Sequence, residues 1–248
     1  MSIYIMTHKK FDKPNVKGYR VILVGAYKGH IFGDVYDDIG DNISYKNLNY
    51  CELTGIYWLW KNCNDDYIGL VHYRRFFSNH LSDKKIASEK DILKKLEKAD
   101  IITPFTQILP ISVKQQYCNE SGFEKDLIKL EQILLKKYPS YVETYNEIIN
   151  GNKLFFYNMM VVKKDIFDDY CRWLFDILFE LEKEIDFDGY NDYQKRIYGF
   201  LAERLLNVYV KKNNLKIYQM GVIQPEENRR LTKKILMALK RTLLYKLW

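Results

Sequence analysis

Short apolar runs alternate along this chain with longer stretches in which apolar residues recur every three or four positions. The runs at 3–6, 21–24, 67–71, 101–103, 153–162 and 216–220 have the length and composition of buried strands. The helical period predicts helices at 51–60, 88–98, 123–137, 140–149, 165–184 and 193–211. Strands separated by helices predict an α/β fold, in which a mostly parallel, Rossmann-like sheet is flanked by helices.

Two polar residues bear on the boundaries of these elements. Asn49 stands three residues before Glu52, and this spacing resembles a capping box at the start of the helix predicted at 51–60. Asn158 falls inside the apolar strand predicted at 153–162, where an unpaired amide would be costly. We expect Asn158 either to make a structural hydrogen bond or to contact a ligand, and the sequence leaves both readings open.

Polar and basic side chains follow the predicted strands at the points where the strands end. Ligands of open α/β sheets bind at the carboxyl ends of the strands, so these residues are the candidates for a binding site. Thr7, His8 and Lys9 follow the first strand, and the tract His72-Tyr73-Arg74-Arg75 follows the strand at 67–71. Adjacent guanidinium groups can bind a diphosphate through paired hydrogen bonds. The alternative is a surface arginine pair that is neutralised by nearby aspartates.

The loop at 37–44 is rich in hydrogen-bonding side chains, among them Asp41 and Asn42. These residues can bind a base, a ribose or a sugar hydroxyl. The alternative is a purely structural role, in which they form Asx turns within the loop. Two acidic residues are the candidates for a catalytic carboxylate, Asp192 and Glu203. Arg204 stands next to Glu203 and can lower the pKa of that carboxylate or bind phosphate. The alternative for Glu203 and Arg204 is an ordinary charge pattern on a helix surface.

The net charge of +7 is concentrated at the C-terminus. Seven of the 39 basic residues lie at 229–248, which has no acidic residue, so the other 32 basic residues balance the 32 acidic ones. Apolar residues at 231, 235, 238, 239 and 243 share one side of a helix. The pattern predicts a basic amphipathic tail at 226–248 that binds an anionic membrane surface, appended to one domain at 1–225. A tail helix docked on its own domain is the alternative, and the neutral body argues against nucleic acid.

The compartment is indicated by cysteine usage and by the start of the chain. The four cysteines form no CxxC pair and no zinc spacing, which is typical of free thiols in a reducing compartment. The start of the chain has no signal-peptide pattern, and no apolar segment is long enough for a bilayer span. We therefore expect a cytoplasmic protein, bound peripherally to the inner face of the membrane through its tail.

Several tracts in the same order resemble a bacterial family found in capsule and exopolysaccharide clusters. The family was long described only as a domain of unknown function, and is now grouped with glycosyltransferases that include β-1,3-galactofuranosyltransferases. The resemblance extends to about residue 222. The tracts that carry it are residues 3–10, 40–44, 51–58, 67–75 with His72-Tyr73-Arg74-Arg75, and 199–205 with Glu203 and Arg204.

The resemblance implies a GT-A-like fold and transfer of a hexose from a UDP-sugar donor. Galactofuranose is the expected hexose, transferred with inversion onto a glycan or undecaprenyl-linked acceptor. A retaining enzyme that uses UDP-galactopyranose or UDP-glucose is one alternative, and a non-catalytic sugar-nucleotide or glycan-binding subunit of a capsule assembly complex is another. Most GT-A enzymes hold a divalent metal with an acidic DxD motif, and here the basic tract stands at that place. We expect metal independence, with Mn²⁺ or Mg²⁺ as the alternative.

Within this reading each candidate residue has an expected role. The nucleotide and its diphosphate are expected to contact Thr7, His8, Lys9, Asp41, Asn42, His72, Tyr73, Arg74 and Arg75. The donor sugar or the acceptor is expected to contact Asn158, Met159, Tyr193 and Arg204. Glu203 or Asp192 is expected to act as the catalytic base.

Overall fold

The computed structural model describes residues 1–79 and 85–225, and these contain ten strands and eight α-helices. The strands are β1 (Ser2–Thr7), β2 (Tyr19–Leu23), β3 (Val35–Tyr36), β4 (Tyr67–His72), β5 (Phe76–Ser78), β6 (Ile101–Pro104), β7 (Gln107–Ile108), β8 (Lys153–Leu154), β9 (Met160–Lys163) and β10 (Ile217–Ile223). The helices are α1 (Asn47–Tyr50), α2 (Leu53–Asn62), α3 (Glu89–Leu96), α4 (Val113–Glu120), α5 (Glu124–Lys137), α6 (Val142–Asn150), α7 (Lys164–Glu184) and α8 (Ile197–Lys212). The predicted α/β class is confirmed.

Eight of the described strands form one sheet in the order β3-β2-β1-β4-β9-β6-β10-β5. β1 pairs in parallel with β2 and β4, β2 with β3, and β6 with β10, whereas β9 and β5 run antiparallel to their neighbours. The sheet is therefore mostly parallel, and the carboxyl ends of β1, β2, β4 and β6 lie at one edge. Because β9 runs the other way, the residues that precede it lie at that same edge.

Helices cover both faces of the sheet, which explains why its central strands are apolar on both sides. All six residues of β1 are buried. Tyr4 and Met6 join the apolar cluster that contains the buried faces of α2, α7 and α8. Ile3 and Ile5 belong to the cluster on the other face, which α3 closes. Within the described residues, no helix combines the length and the apolar character needed to cross a bilayer.

Two predicted elements differ from the observed ones. The strand predicted at 153–162 is interrupted, because β8 pairs with β7 in a separate ribbon and only β9 joins the main sheet. Between them Tyr157 and Asn158 have positive φ angles of 85° and 50°, a conformation that does not fit a strand. The predicted Asn49–Glu52 capping box is also wrong. Cys51, at φ 52°, separates α1 from α2, and the Asn49 side chain donates a hydrogen bond to the Lys195 carbonyl.

The predicted boundary at 225 and the basic tail at 226–248 lie at the end of the described residues or beyond it. The membrane-binding tail therefore stays a prediction from sequence.

Candidate functional site

A cavity of about 740 Å³ opens at the edge of the sheet where the parallel strands end. Its volume falls in the range of pockets that bind small molecules, roughly 300–1,000 Å³. The walls come from the ends of β1 and β4, from the turn before β9, and from the start of α2 and α8. Among the predicted site residues, those that line the cavity are Thr7, His8, His72, Tyr73, Arg74, Arg75, Tyr193, Glu203 and Arg204.

The tract His72-Tyr73-Arg74-Arg75 forms a tight turn at the end of β4. The His72 amide donates to the Arg75 carbonyl at 3.1 Å, and the Arg75 amide donates back to the His72 carbonyl at 2.9 Å. The Tyr73 amide donates to the Met6 carbonyl at 3.1 Å, which fixes the turn against the end of β1. Arg74 is exposed at the tip, and the Arg75 guanidinium lies 4.3 Å from the centre of the Tyr157 ring. Both arginines therefore face the cavity from a rigid support.

The rim of the cavity beside this turn is positively charged. The Lys9 ammonium and the Arg74 guanidinium lie 5.0 and 5.7 Å from the centre of the Tyr73 ring, and the His8 ring packs edge-on against Tyr73. Burial lowers the pKa of His8, and the nearby cations Lys9, Arg196 and Arg74 lower it further. The neutral imidazole of His8 leaves Arg74 and Arg196, which line the cavity, and the neighbouring Lys9 as the groups that attract an anion.

Thr7 has a local structural role in this rim. Its hydroxyl donates to the Lys9 carbonyl at 2.6 Å and accepts from the Lys9 amide at 3.2 Å. Its side chain is buried, and its carbonyl accepts a hydrogen bond from the Val24 amide. Thr7 therefore holds the turn that presents His8, and ties it to the end of β2.

His72 lines the cavity, and its side chain is hydrogen-bonded to the backbone of the turn before β9. Its Nε2 lies 2.6 Å from the Tyr157 carbonyl oxygen, which can only accept, so this nitrogen carries a proton. Burial lowers the pKa of His72, and the Arg75 and Arg74 charges lower it further, against the raising influence of Glu52 and of the Tyr157 hydrogen bond. A neutral His72 positions the turn before β9 and adds no positive charge to the arginine pair.

Tyr157 and Asn158 form a left-handed turn that several site residues hold in place. The Tyr157 amide donates to Glu203 Oε1 at 2.9 Å, while its carbonyl is bound by His72. The Asn158 Nδ2 donates to Glu52 Oε1 at 2.7 Å and to the Gly199 carbonyl at 3.1 Å. Non-glycine residues in this backbone region are strained by about 1–3 kcal/mol each, and the surrounding hydrogen bonds offset that cost.

Glu203 is the acidic residue of α8 that faces the cavity. Its side chain is 16% exposed, and Oε2 accepts from Arg204 Nη1 at 3.0 Å. Arg204 is itself buried, and also donates to the Phe200 carbonyl at 2.9 Å and to Gln116 Oε1. Burial raises the pKa of Glu203 above its ordinary value, and the positive charge of Arg204 opposes the rise. The result is a held carboxylate that is more basic than a surface glutamate.

Glu52, which the sequence pattern placed in a helix cap, is a second carboxylate in the cavity wall. The reversal at Cys51 ends α1 and turns Glu52 toward the cavity at the start of α2. Cys51 also lines the cavity, where its Sγ accepts a hydrogen bond from Arg196 Nε at 3.1 Å, and burial raises its pKa to about 11. The thiol therefore stays protonated.

Five of the residues predicted to contact the nucleotide, the sugar or the acceptor do not line the cavity: Lys9, Asp41, Asn42, Asn158 and Met159. Asp41 accepts from the Tyr57 hydroxyl at 3.0 Å, and the Asn42 amide bonds carbonyls of its own loop. Asn158 lies behind Glu52, and Met159 is buried in the core. Their ligand contacts stay predictions.

Asp192, the second candidate for the base, also lies outside the cavity wall. Its side chain is 95% exposed and pairs with Lys195 at 3.2 Å. Glu203 is therefore the better-placed carboxylate of the two.

The residues at the end of β4 do not match a divalent metal site. Mg²⁺ and Mn²⁺ are bound by carboxylates and other oxygen ligands, whereas this turn offers two arginines and a histidine that is bonded to a carbonyl. In the described part of the chain, no group of three or more His, Cys, Asp or Glu side chains has the arrangement of a metal site. That the reaction needs no metal stays a prediction, because the residues of this turn do not test the metal requirement of catalysis.

A family model described as a domain of unknown function, DUF4422, matches residues 2–214. The chain belongs to this family. The apo structure of WbbM, a bifunctional glycosyltransferase, matches with a TM-score of 0.84 and 31% sequence identity, over 91% of this chain and 45% of the WbbM chain. The chain thus spans less than half of WbbM. No curated protein matches it.

The likeness to WbbM confirms the predicted GT-A-like fold, with a mostly parallel sheet flanked by helices. This chain therefore has a glycosyltransferase-like fold. The cavity wall also contains residues that were not predicted from the sequence: Glu52, Gln116, Tyr157 and Arg196. Only Glu52 had a usable signal, because the tract 51–58 that contains it was one of those that carried the family resemblance.

Proposed function

We propose that this chain is a glycosyltransferase that transfers a hexose from a UDP-sugar to a hydroxyl group of a glycan acceptor. One observation carries the proposal: a paired-arginine turn and a partly buried glutamate, held by hydrogen bonds, face the same cavity at the carboxyl edge of the sheet. The fold likeness to a bifunctional glycosyltransferase supports this choice of reaction. We further propose galactofuranose as the hexose, on the family resemblance of the sequence.

The arginines of the β4 turn are assigned to the leaving group. Displacement breaks the bond between the anomeric carbon and the β-phosphate oxygen, and negative charge builds up on the departing UDP. Arg74 and Arg75 can stabilise that charge, because guanidinium groups bind phosphate oxygens in pairs. The fixed turn orients them before the substrate arrives, so little reorganisation is required in the transition state.

Glu203 is assigned as the general base. The acceptor hydroxyl attacks the anomeric carbon from the side opposite the diphosphate, and its proton passes to the Glu203 carboxylate. Direct displacement of this kind inverts the anomeric centre. Burial makes the carboxylate more basic, and the bonds to Tyr157 and Arg204 hold its orientation.

The cellular setting is proposed from sequence. The acceptor would be a glycan or an undecaprenyl-linked glycan in capsule or exopolysaccharide synthesis. The basic residues at 229–248 would bring the enzyme to the anionic inner face of the membrane, where such an acceptor is found.

The test is transfer from UDP-galactofuranose, UDP-galactopyranose and UDP-glucose to a synthetic galactose-terminated acceptor, with NMR of the product linkage. We expect turnover with UDP-galactofuranose, inverted stereochemistry, and unchanged rates in EDTA. Donor binding without turnover would favour a binding subunit, and retention would contradict direct displacement. Loss of activity in EDTA that manganese restores would contradict the arginine assignment.

The base assignment is tested separately. Glu203→Gln is expected to lower kcat by about 10²- to 10⁴-fold with little change in the Kd for UDP. Glu180→Gln on the surface of α7 is the matched control, because its carboxylate pairs with the exposed or partly exposed lysines Lys137 and Lys183. A comparable loss in Asp192→Asn, with Glu203→Gln near wild type, would refute the assignment.

A further inference from the structure

Glu52 has one carboxylate oxygen bound and one open. Its Oε1 accepts the 2.7 Å hydrogen bond from Asn158, a buried residue whose position is fixed by its second bond to the Gly199 carbonyl. In the described part of the chain, the hydrogen bond that Glu52 makes is to Oε1, and none is formed by Oε2. The carboxylate is thus anchored through one oxygen while the other is available to a ligand.

The surroundings of Oε2 leave space beside it. Gly199 on α8 also lines the cavity, and a Cβ added there would lie 3.9 Å from Glu52 Oε2, 3.6 Å from Cys51 Cβ and 3.7 Å from Cys51 Sγ. These are ordinary contact distances, so alanine would fit without strain and would cover one side of the carboxylate. The glycine therefore keeps this oxygen accessible.

The position of Glu52 relates it to both halves of the proposed site. It lines the same cavity as the arginine turn and Glu203. Its partner Asn158 directly follows Tyr157, which is hydrogen-bonded to both His72 and Glu203. A sugar that is transferred from a diphosphate at the turn to a hydroxyl at Glu203 must lie between these two groups. Glu52 is thus next to the place where the hydroxyls of that sugar would be.

We propose that Glu52 is a specificity-determining residue, whose Oε2 accepts a hydrogen bond from a hydroxyl of the transferred sugar. The inference rests on the proposed function, because it needs a sugar nucleotide in the cavity. A ligand that offers no hydrogen-bond donor to Oε2 would leave a partly buried acceptor unpaired, which costs binding free energy. The carboxylate therefore favours a ligand with a hydroxyl group at this place. Asn158 holds Glu52 in the orientation that this contact requires.

The test measures two affinities in each variant, the Kd for UDP and the Kd for UDP-galactofuranose, by calorimetry. Glu52→Gln keeps an Oε1 acceptor for Asn158 and replaces the open oxygen by an NH₂ donor. Gly199→Ala keeps the carboxylate and narrows access to it. In both variants we expect the Kd for UDP-galactofuranose to rise about tenfold or more relative to the Kd for UDP. Glu180→Gln is the control, and should leave the ratio unchanged.

The outcomes separate the inference from the function on which it rests. Wild-type protein that binds neither UDP nor UDP-galactofuranose would refute the proposed function, and the Glu52 role with it. Wild-type binding with an unchanged ratio in both variants would overturn the Glu52 role alone. Equal weakening of UDP and UDP-galactofuranose would also overturn it, because Glu52 would then support the nucleotide site or the fold rather than the sugar.

Discussion

Replacing Arg204 by methionine tests the buried charge pair that holds Glu203. Arg204 is 1% exposed, and its guanidinium donates to Glu203, Phe200 and Gln116. Removing one partner of a buried ion pair costs about 3–5 kcal/mol, because the other charge is left uncompensated. Glu203 is 16% exposed to the cavity and can gain some hydration, so we expect the lower end, about 3 kcal/mol. For a chain of this size that loss lowers Tm by about 6–12 °C.

The pH dependence of this loss has a definite sign. The pKa of Glu203 is already raised above its ordinary value of 4.5, and without Arg204 it rises further. Between pH 4.5 and the raised pKa, the folded variant then binds more protons than the unfolded chain. Its free energy of unfolding therefore falls as the pH rises through that range. Below pH 4.5 Glu203 is protonated in both the folded and the unfolded state, so no uncompensated carboxylate charge destabilises the fold. The deficit should therefore be larger at pH 8 than at pH 5, when measured by urea unfolding.

Two further variants make the test specific. Arg172→Met removes an exposed arginine whose ion pair with Asp169 is worth about 0–1 kcal/mol, so it should cost no more than that. Adding Glu203→Gln to Arg204→Met removes the stranded charge, and the double variant should be more stable than Arg204→Met alone by about 1 kcal/mol or more. An Arg204→Met variant as stable as wild type at pH 8, or a double variant no better than the single one, would refute the reasoning.

Three more predictions concern the site and its support. If Glu203 is the base, kcat/KM should fall on the acid side with an apparent pKa above 4.5, and a pH–rate profile that stays flat down to 4.5 would contradict this. Arg75→Ala should weaken UDP binding about tenfold or more by calorimetry, and an unchanged Kd would remove Arg75 from the diphosphate site. Asp37 is fully buried and accepts from the Gly25 and Ala26 amides and the Ser44 hydroxyl, so Asp37→Asn should cost about 1–3 kcal/mol in urea unfolding. The exposed Asp38→Asn should change stability by less than about 0.5 kcal/mol, and an equal loss in both would contradict the role of burial.

Much of the fold is predictable from the sequence because most of its elements have strong periodic patterns. β1, β4, β6, α5 and α7 were predicted within a few residues, since each presents an apolar run or an apolar helical face. α4 was missed because its sequence, VKQQYCNE, has few apolar positions. The local signal of its start is the capping box at Ser112. β3 was missed because it has only two residues, and these lie in a loop rich in glycine and aspartate.

The residues of the cavity were predictable only where charged or polar side chains directly follow a predicted strand. The arginine turn directly follows an apolar strand, so the rule for open α/β sheets located it correctly at the cavity. The left-handed turn at Tyr157 and Asn158 contains no glycine, so the sequence gives no sign of it. Hydrogen bonds with His72, Glu203 and Glu52, which are distant in the sequence, stabilise that conformation. Glu52 was assigned to a local cap because its real partner, Asn158, is 106 residues away in the chain.

The central claim is that the cavity binds a nucleotide diphosphate against the β4 turn. The most direct measurement is a crystal structure of the protein with UDP bound. The account predicts phosphate oxygens within hydrogen-bonding distance of the Arg74 or Arg75 guanidinium, in the same cavity as Glu203. A diphosphate located away from this turn, for example at the loop that contains Asp41 and Asn42, would contradict it.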